Sequence, residues 1–187
     1  MSRPRILLAG GGTGGHLYPA LNIAAALRRV EPSAVCSFLG SRRGVEARVL
    51  PESDYAYRLL PLQPLYRHRP WRNWRLLVSA PAVVAGVRGA FRDFRPSIVV
   101  GTGGYVSGPA LAWARIRGIP TAIQEQNAAP GLVTRLLASR VDQIHLGYPE
   151  AAPPRNAGAA AGVYTLGKTV AGGGETEDVA GGIPRPE

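Results

Sequence analysis

The stretch Ile6-Leu7-Leu8-Ala9-Gly10-Gly11-Gly12-Thr13-Gly14-Gly15-His16 predicts both a fold and a binding site. Its four apolar residues in a row are typical of a strand that is covered on both faces of a parallel sheet. The five glycines among the next six residues indicate a sharp turn that lets a ligand approach the main chain. The N–H groups at the start of the helix that follows favour a bound phosphate.

The rest of the chain as far as residue 146 alternates short apolar runs with helical stretches. We predict further strands at 34–39, 57–60, 98–100, 121–123 and 143–146, and helices at 18–30, 45–50, 73–94, 107–117 and 131–139. Pro81 is expected to kink or split the longest helix. This order predicts an α/β fold, a Rossmann-like doubly wound parallel sheet that binds its ligand at the carboxyl ends of the strands.

The charge is distributed unevenly along the sequence. The 187 residues hold 22 lysines and arginines against 12 acidic residues, a formal net charge of +10. Residues 1–150 hold 19 of these cations and 8 of the acids, whereas 20 of the last 37 residues are Gly, Ala or Pro. Such a segment cannot bury enough apolar surface to offset the entropy of ordering it. We therefore predict one folded domain over 1–150 and a disordered tail over 151–187.

The sequence also lacks several features that would point to other classes of protein. No apolar run reaches the roughly 18 residues that span a bilayer, and the first residues do not form a signal peptide, so we expect a cytoplasmic protein. A single cysteine, Cys36, and three scattered histidines exclude a disulfide framework and predict no metal site. We expect no cofactor.

Two further strand ends carry residues suited to binding. The segment 101–109 is a second glycine-rich helix entry, which suggests two phosphate-bearing or sugar-bearing groups bound near each other. The segment 124–131 begins with four polar residues, which suit sugar hydroxyls and include the carboxylate Glu125, although Asn127 alternatively caps the next helix. His16 lies near a helix N-terminus, where the dipole favours the neutral imidazole of a general base; a structural role is its alternative.

The first glycine string also allows a different class of enzyme. Gly10, Gly12 and Gly15 satisfy the dinucleotide fingerprint, which requires an acidic residue after the second strand to bind the ribose. Arginines stand there instead, so an NADP-linked oxidoreductase is the version of this alternative that remains.

The three loops together resemble one known family. GGGTGGHLYPA (10–20), GTGGYVSGPALAW (101–113), IPTAIQEQNAAPGLVTRLLA (119–138) and VDQIHLGYPEA (141–151) are similar, in order and spacing, to the N-terminal half of the bacterial peptidoglycan glycosyltransferases of family 28. The resemblance covers about residues 5–150 and implies one half of a GT-B architecture. It implies an inverting, metal-independent transfer of N-acetylglucosamine from UDP-GlcNAc to the C4 hydroxyl of the muramoyl sugar of lipid I, giving lipid II.

The resemblance also implies roles for individual residues. The implied contacts to UDP-GlcNAc are Thr13, Gly14, Gly15 and Asn127. His16 corresponds to the histidine proposed as general base on the acceptor hydroxyl, and Glu125 is the other candidate. The loops that receive the acceptor and its diphosphate contain Gly12, Gly103, Gly104, Tyr105 and Ser107.

An acid-free stretch between Asp54 and Asp93 mixes arginines with large apolar side chains. We predict that it forms a membrane patch on an anionic membrane surface, at the inner face of the cytoplasmic membrane, where each arginine contributes about 1 kcal/mol. The patch consists of Arg69, Trp71, Arg72, Trp74, Arg75 and Leu77. The alternative is a solvated helix whose tryptophans pack on the sheet. No nucleic-acid-binding motif accompanies the charge, so we expect no nucleic acid partner.

Members of the family are considerably longer, because a C-terminal donor domain carries most of their nucleotide pocket. That domain is absent from this sequence, so we expect the chain alone to be inactive. A truncated gene product, which we favour, and a half-enzyme completed by a separate donor-domain subunit both fit this pattern. A non-catalytic acceptor-binding or membrane-docking module is a further alternative.

Overall fold

The computed structural model describes residues 3–66, 70–151 and 162–165. One sheet contains the strands β1 (Arg5–Gly10), β2 (Val35–Ser41), β3 (Ala56–Leu60), β4 (Ile98–Gly103), β5 (Thr121–Glu125), β6 (Gln143–Leu146) and β7 (Gly162–Thr165). The helices are α1 (Gly14–Val30), α2 (Glu46–Val49), α3 (Trp74–Phe94), α4 (Gly104–Ile116) and α5 (Leu132–Leu137). Short 3-10 turns lie at Leu50–Glu52, Pro70–Asn73 and Pro149–Ala151.

The sheet has the order β3-β2-β1-β4-β5-β6-β7, and all neighbouring strands are parallel. This confirms the predicted Rossmann-like doubly wound parallel sheet. The strand order reverses between β1 and β4, where Ile6 pairs with Cys36 on one side and with Ile98 on the other. In open sheets of this kind, the crevice beyond the carboxyl ends at the reversal is the usual binding site.

The core consists of two apolar layers, one on each face of the sheet. Alternate side chains of β1 point to opposite faces. Ile6 and Leu8 pack with buried residues of α1, whereas Leu7 and Ala9 pack with buried residues of α3 and α4. This two-sided burial explains why β1 is apolar at every inner position. Because helices pack on both faces, the carboxyl end of β1 is held in place.

Helix α1 begins at Gly14, four residues before its predicted start, and a further difference from the predicted boundaries lies between β4 and α4. A loop was predicted from residue 101, but β4 continues to Gly103 and α4 begins at Gly104. Gly103 and Gly104 have φ values of 101° and 73°, a conformation that glycine adopts without a steric penalty. The strand therefore turns directly into the helix, and Tyr105 and Ser107 lie in the first turns of α4.

Two further differences concern Pro81 and the region after residue 150. Helix α3 contains Pro81 and is not split there, because this position is exposed and water can bond to the carbonyl that loses its helical partner. Strand β7 pairs with β6, so the sheet continues past residue 150 into the segment predicted as a tail. Residues 152–161 and 166–187 of that segment lie outside the described residues.

Candidate active site

The first glycine loop, Gly10–Gly15, lies against the turn between β4 and α4. The hydroxyl of Thr102 donates to the carbonyl oxygen of His16 at 2.7 Å. A Cβ atom at Gly104 would overlap the carbonyl oxygen of Gly11. The two glycine-rich segments that were separate in the sequence therefore form one continuous surface, and their glycines are required where the two backbones meet.

Tyr105 covers one side of the first glycine loop. Its ring packs on Gly12, where an added Cβ would lie 2.7 Å from Cε1 of the ring. Its hydroxyl donates to the Ser41 hydroxyl oxygen at 3.2 Å, at the end of β2. Tyr105 thus connects the second glycine segment to both the first loop and the neighbouring strand.

Glu46, which was not among the predicted site residues, supports the first glycine loop from inside the fold. Its side chain is 0% exposed. The N–H of Gly12 donates to its two carboxylate oxygens at 3.0 and 2.9 Å, and the N–H of Ser41 donates to Oε1 at 2.8 Å. A Cβ at Gly11 or Gly44 would overlap the carboxylate. The carboxylate therefore ties the loop to the end of β2.

His16 is half-buried at the start of α1, and one of its ring nitrogens is held by two groups. Its Nδ1 lies 3.2 Å from the carbonyl oxygen of Thr102 and 2.7 Å from the side-chain amide nitrogen of Gln126. A Cβ at Gly103 would lie 2.6 Å from the same nitrogen. The imidazole is consequently fixed between the second glycine segment and the end of β5.

Glu125 lies at the end of β5 and is 1% exposed. Its carboxylate accepts from the N–H and the side-chain amide of Asn127 at 3.1 and 2.9 Å, from the N–H of Gly131 at 3.0 Å and from the hydroxyl of Thr134 at 2.7 Å. Burial alone raises the pKa of Glu125, but these hydrogen bonds outweigh it and hold the pKa below its usual value. The carboxylate therefore stays ionised and organises the loop that leads to α5.

A cavity of about 250 Å³ opens where the three segments meet. It is lined by His16, Pro64, Leu65, Gly103, Gly104, Tyr105, Glu125, Gly131, Leu132, Val133 and Thr134. Both predicted catalytic candidates and three residues of the predicted acceptor loops are thus brought together. Ser107 is not: it is buried, and its hydroxyl donates to the carbonyl of Gly104 at 3.0 Å.

None of the predicted donor-binding residues lines this cavity, although Gly15 directly precedes His16 and Asn127 is bonded to Glu125, which do line it. Thr13, Gly15 and Asn127 are exposed. The N–H groups of Gly14 and Gly15 stand in the first turn of α1, where no helical carbonyl is available to them. The start of α1 therefore presents backbone donors to an anion.

The predicted membrane patch lies at the start of α3 and in the turn before it, and none of its described residues lines the cavity. Trp71, Trp74 and Leu77 are 69%, 58% and 78% exposed, so these tryptophans do not pack on the sheet. Arg75 is exposed, with its guanidinium 5.8 Å from the centre of the Trp74 ring. Arg69 lies outside the described residues.

A second cavity, of about 490 Å³, lies at the opposite edge of the sheet. Its charged and aromatic lining comprises Arg88, Phe91, Arg92, Arg95, Trp113 and Arg117. These residues belong to the ends of α3 and α4 that precede β4 and β5, far from the carboxyl ends of the strands. In the described ranges, no three His, Cys, Asp or Glu side chains form a cluster that could hold a metal, and no helix there is long and apolar enough to cross a membrane.

Comparison with known sequences identifies one family. The family model described as the glycosyltransferase family 28 N-terminal domain matches residues 6–146. A "UDP-N-acetylglucosamine--N-acetylmuramyl-(pentapeptide) pyrophosphoryl-undecaprenol N-acetylglucosamine transferase" of Moorella thermoacetica is 43% identical over 155 residues, 82% of this chain and 42% of the relative. The transferase of the same name from Chlorobium limicola is 43% identical over 150 residues, 78% of this chain and 41% of the relative. The chain thus spans about two fifths of the length of these relatives.

Comparison with solved structures gives the same result. The crystal structure of Acinetobacter baumannii MurG matches with a TM-score of 0.69 at 26% identity, over 88% of this chain and 45% of that chain. A UDP-glucose: anthocyanidin 3-O-glucosyltransferase shares the fold, with a TM-score of 0.55 at 12% identity over 88% of this chain and 52% of that one. The predicted architecture, one half of a GT-B fold, is confirmed.

Proposed function

Because this chain belongs to the glycosyltransferase family 28 N-terminal domain family, we propose that it is the acceptor-binding half of a hexosyltransferase of peptidoglycan biosynthesis. The donor is UDP-GlcNAc, the acceptor is lipid I and the product is lipid II. The names of the Moorella and Chlorobium relatives support this choice of substrates. The observation that carries the proposal is the convergence of His16, Tyr105 and Glu125, from three different strand ends, on one cavity.

In the proposed reaction, His16 is the general base. It accepts the proton of the acceptor C4 hydroxyl while that oxygen attacks the anomeric carbon from the side opposite to UDP, which inverts the configuration. An imidazole is suited to this task because its ordinary pKa lies near the working pH. Glu125 is less suited, because its carboxylate is already engaged by four donors and its pKa is lowered.

Glu125 acts instead as a positioning residue for the donor. It accepts from both the backbone and the side chain of Asn127, which is the donor contact implied by the resemblance. With the side-chain amide nitrogen of Asn127 held by Glu125, the amide oxygen is directed outward to the sugar. His16 is therefore the base, and Glu125 positions the donor contact Asn127.

The backbone N–H groups at the start of α1 hold the diphosphate of the donor. A helix N-terminus combines free donors with the positive end of the helix dipole, which favours the charge that develops on the leaving group. Thr13, Gly14 and Gly15 are accessible at that position. In this mechanism the transfer is metal-independent.

The geometry of Gly12 argues against the oxidoreductase alternative. In a dinucleotide fold, the second glycine of the fingerprint lets the backbone approach the pyrophosphate. Here the N–H of Gly12 already donates to Glu46, and the ring of Tyr105 covers the residue. The N–H of Gly12 is therefore not available to a pyrophosphate, whether of a dinucleotide or of the acceptor.

We expect transfer only when a donor domain is added. The test mixes the chain with the separately produced C-terminal half of the Moorella relative and measures the transfer of labelled GlcNAc to lipid I. The substitution His16→Ala should reduce turnover at least about a hundredfold, whereas His145→Ala, a histidine that does not line the cavity, is the control. Turnover by the chain alone would refute its dependence on a second domain.

A binding measurement separates this proposal from a failure of the two halves to assemble. The isolated chain should bind lipid I in detergent micelles, and Tyr105→Ala should weaken that binding. An isolated chain with no affinity for lipid I would remove the acceptor-binding assignment, whatever the result of the mixing experiment. Binding without turnover in the completed enzyme would instead favour the non-catalytic module.

We further propose that the membrane patch docks the protein on anionic lipid at the cytoplasmic face of the membrane. The exposed tryptophans and Leu77 supply apolar insertion, and the arginines supply attraction. Reversing the charge of Arg69, Arg72 and Arg75 should abolish binding to vesicles that contain anionic lipid. Reversing the exposed Arg29, Arg48 and Arg135 removes the same charge elsewhere and should reduce binding much less. Equal losses in the two triple variants would show that only net charge matters.

A further inference from the structure

We propose that Gln126, together with the carbonyl group of Thr102, sets the tautomer of His16 by presenting its side-chain carbonyl oxygen to Nδ1. The hydrogen then resides on Nδ1, and the lone pair of Nε2 is free toward the cavity. The inference rests on the proposed function in one respect, the role of His16 as base. It makes Gln126 a positioning residue, because Gln126 acts through His16.

The two contacts at Nδ1, together with the buried oxygen of Gln126, favour one set of hydrogen bonds. Thr102 offers a carbonyl oxygen at 3.2 Å, which can only accept, so this contact requires a hydrogen on Nδ1. The side-chain amide of Gln126 lies at 2.7 Å from the same nitrogen. If its NH₂ group faced Nδ1–H, two donors would point at each other. Rotating the amide by half a turn removes the conflict and leaves its shape unchanged, because its oxygen and nitrogen are nearly equivalent in size.

The oxygen of Gln126 provides independent support for this rotation. As placed, Oε1 is buried and has no hydrogen-bond partner in the described part of the chain. A buried acceptor without a partner is unfavourable. Rotation brings this oxygen to Nδ1–H, so that Thr102 and Gln126 share one donor.

The carbonyl group of Thr102 disfavours the other arrangement. With the hydrogen on Nε2, the lone pair of Nδ1 would face the carbonyl oxygen of Thr102, and the contact would become repulsive. The titratable groups that share the cavity with His16 are Glu125 and Tyr105. Glu125 accepts hydrogen bonds from Asn127, Gly131 and Thr134, and the hydroxyl of Tyr105 bonds to Ser41. Neither therefore competes with Gln126 for the imidazole in the described residues.

The consequence concerns the direction of proton transfer. A base must offer a lone pair on the nitrogen that faces its substrate. Once Nε2 has taken the acceptor proton, the Nδ1–H bonds to Thr102 and Gln126 stabilise the resulting imidazolium, because hydrogen bonds from a charged donor are stronger than those from a neutral one. Gln126 thus both selects the reactive nitrogen and stabilises the product of its reaction.

The test reads the tautomer directly in the free chain. Long-range ¹H–¹⁵N correlation spectra of the ¹⁵N-labelled protein, recorded above the titration range of histidine, distinguish Nδ1–H from Nε2–H. The His16 signals are assigned by their loss in His16→Ala. We expect Nδ1–H in the wild type. In Gln126→Met, which removes one of the two acceptors at similar volume, we expect this preference to weaken, because Thr102 still offers its carbonyl oxygen, and the titration midpoint of His16 to fall.

A second variant keeps the test decisive if the methionine variant does not fold. Gln126→Glu retains an acceptor and adds a charge, so the Nδ1–H tautomer should persist and the midpoint of His16 should rise by about one pH unit or more. Gln124→Met is the matched control, since Gln124 makes no hydrogen bond to His16 in the described residues, and it should change neither quantity.

Two results would overturn the proposal: the Nε2–H tautomer in the wild type, or an unchanged tautomer and midpoint in a folded Gln126→Met protein. If that variant does not fold, an unchanged midpoint in Gln126→Glu has the same force. No donor, acceptor or turnover enters the measurement. Its failure is therefore distinguishable from failure of the transferase assignment, which the binding and mixing experiments test.

Discussion

Glu46 and Glu125 are two buried carboxylates near the carboxyl ends of two strands of one sheet, yet they support different parts of the site. Both are almost inaccessible, at 0% and 1% exposed, and neither has a salt bridge within the described residues. Both are satisfied by N–H and O–H donors instead. The pair shows how a strongly basic chain can keep negative charge inside by using backbone donors rather than its many arginines.

The difference between them lies in what they hold. Glu46 bonds only to backbone N–H groups, of Gly12 and Ser41, beneath the first glycine loop. Glu125 bonds to an exposed loop, through Asn127 and Gly131, and to the buried hydroxyl of Thr134. Glu46 is therefore a support inside the fold, whereas Glu125 joins the fold to a binding surface. Three predictions follow from this contrast.

Removing each side chain should give the largest effects, and Glu46 should matter more for stability. Glu46→Ala leaves two buried N–H groups without an acceptor and creates a void, which costs about 3 kcal/mol of unfolding free energy. Glu125→Ala should cost about 2 kcal/mol, because water can reach the donors on its exposed loop. Urea unfolding of both variants measures the two values. A larger loss for Glu125 would reverse the assignment of structural support to Glu46.

The same pair shows what could be predicted from sequence. Glu125 was found because it lies just after a predicted strand within a run of polar residues, which are poor packing material. Glu46 was missed because it lies in the four-residue helix α2 among Arg42, Arg43 and Arg48, where a charged residue normally indicates a solvated face. Gly40 and Gly44, which leave room for the carboxylate, were the available signal.

The fold was more predictable than the site, for a physical reason. Each segment's pattern of apolar residues shows which of its faces is buried, and this pattern is enough to predict the alternation of strands and helices. The doubly wound sheet was predicted from that alternation. Contacts between segments are not recorded in this way. The bond between Gln126 and His16 joins residues 110 positions apart, and the pattern assigned Gln126 only to a sugar-binding surface. Strand β7 was likewise missed, because its pairing with β6 is a long-range contact.

Replacing one glycine beside each carboxylate with alanine should change the unfolding free energy by an intermediate amount. The loss should be larger beside Glu46 than beside Glu125. A Cβ at Gly44 would overlap the Glu46 carboxylate, which has no space in which to move, so Gly44→Ala should cost about 2 kcal/mol. A Cβ at Gly131 would lie 3.8 Å from the Glu125 carboxylate, an ordinary contact, so Gly131→Ala should change stability by less than about 0.5 kcal/mol. Thermal and urea unfolding report both. Similar losses at the two glycines would mean that the two carboxylates are equally confined.

Acidification should give the smallest effect, because it alters the charge of Glu125 without changing the packing around it. The hydrogen bonds of Glu125 outweigh its burial and hold its pKa in the folded state below the usual value of about 4.5. Its contribution to stability is therefore fully present above that pH and is lost as the pH falls through the folded-state pKa. Glu125→Gln cannot lose a charge, so the wild type should lose more stability than this variant between neutral pH and pH 3. Urea unfolding at several pH values measures the difference, and Glu52→Gln, at an exposed carboxylate, corrects for the removal of one negative charge. If the wild type and Glu125→Gln lost stability in parallel, the Glu125 carboxylate would not be held by its hydrogen bonds, and its assigned hold on the Asn127 loop would fail with it.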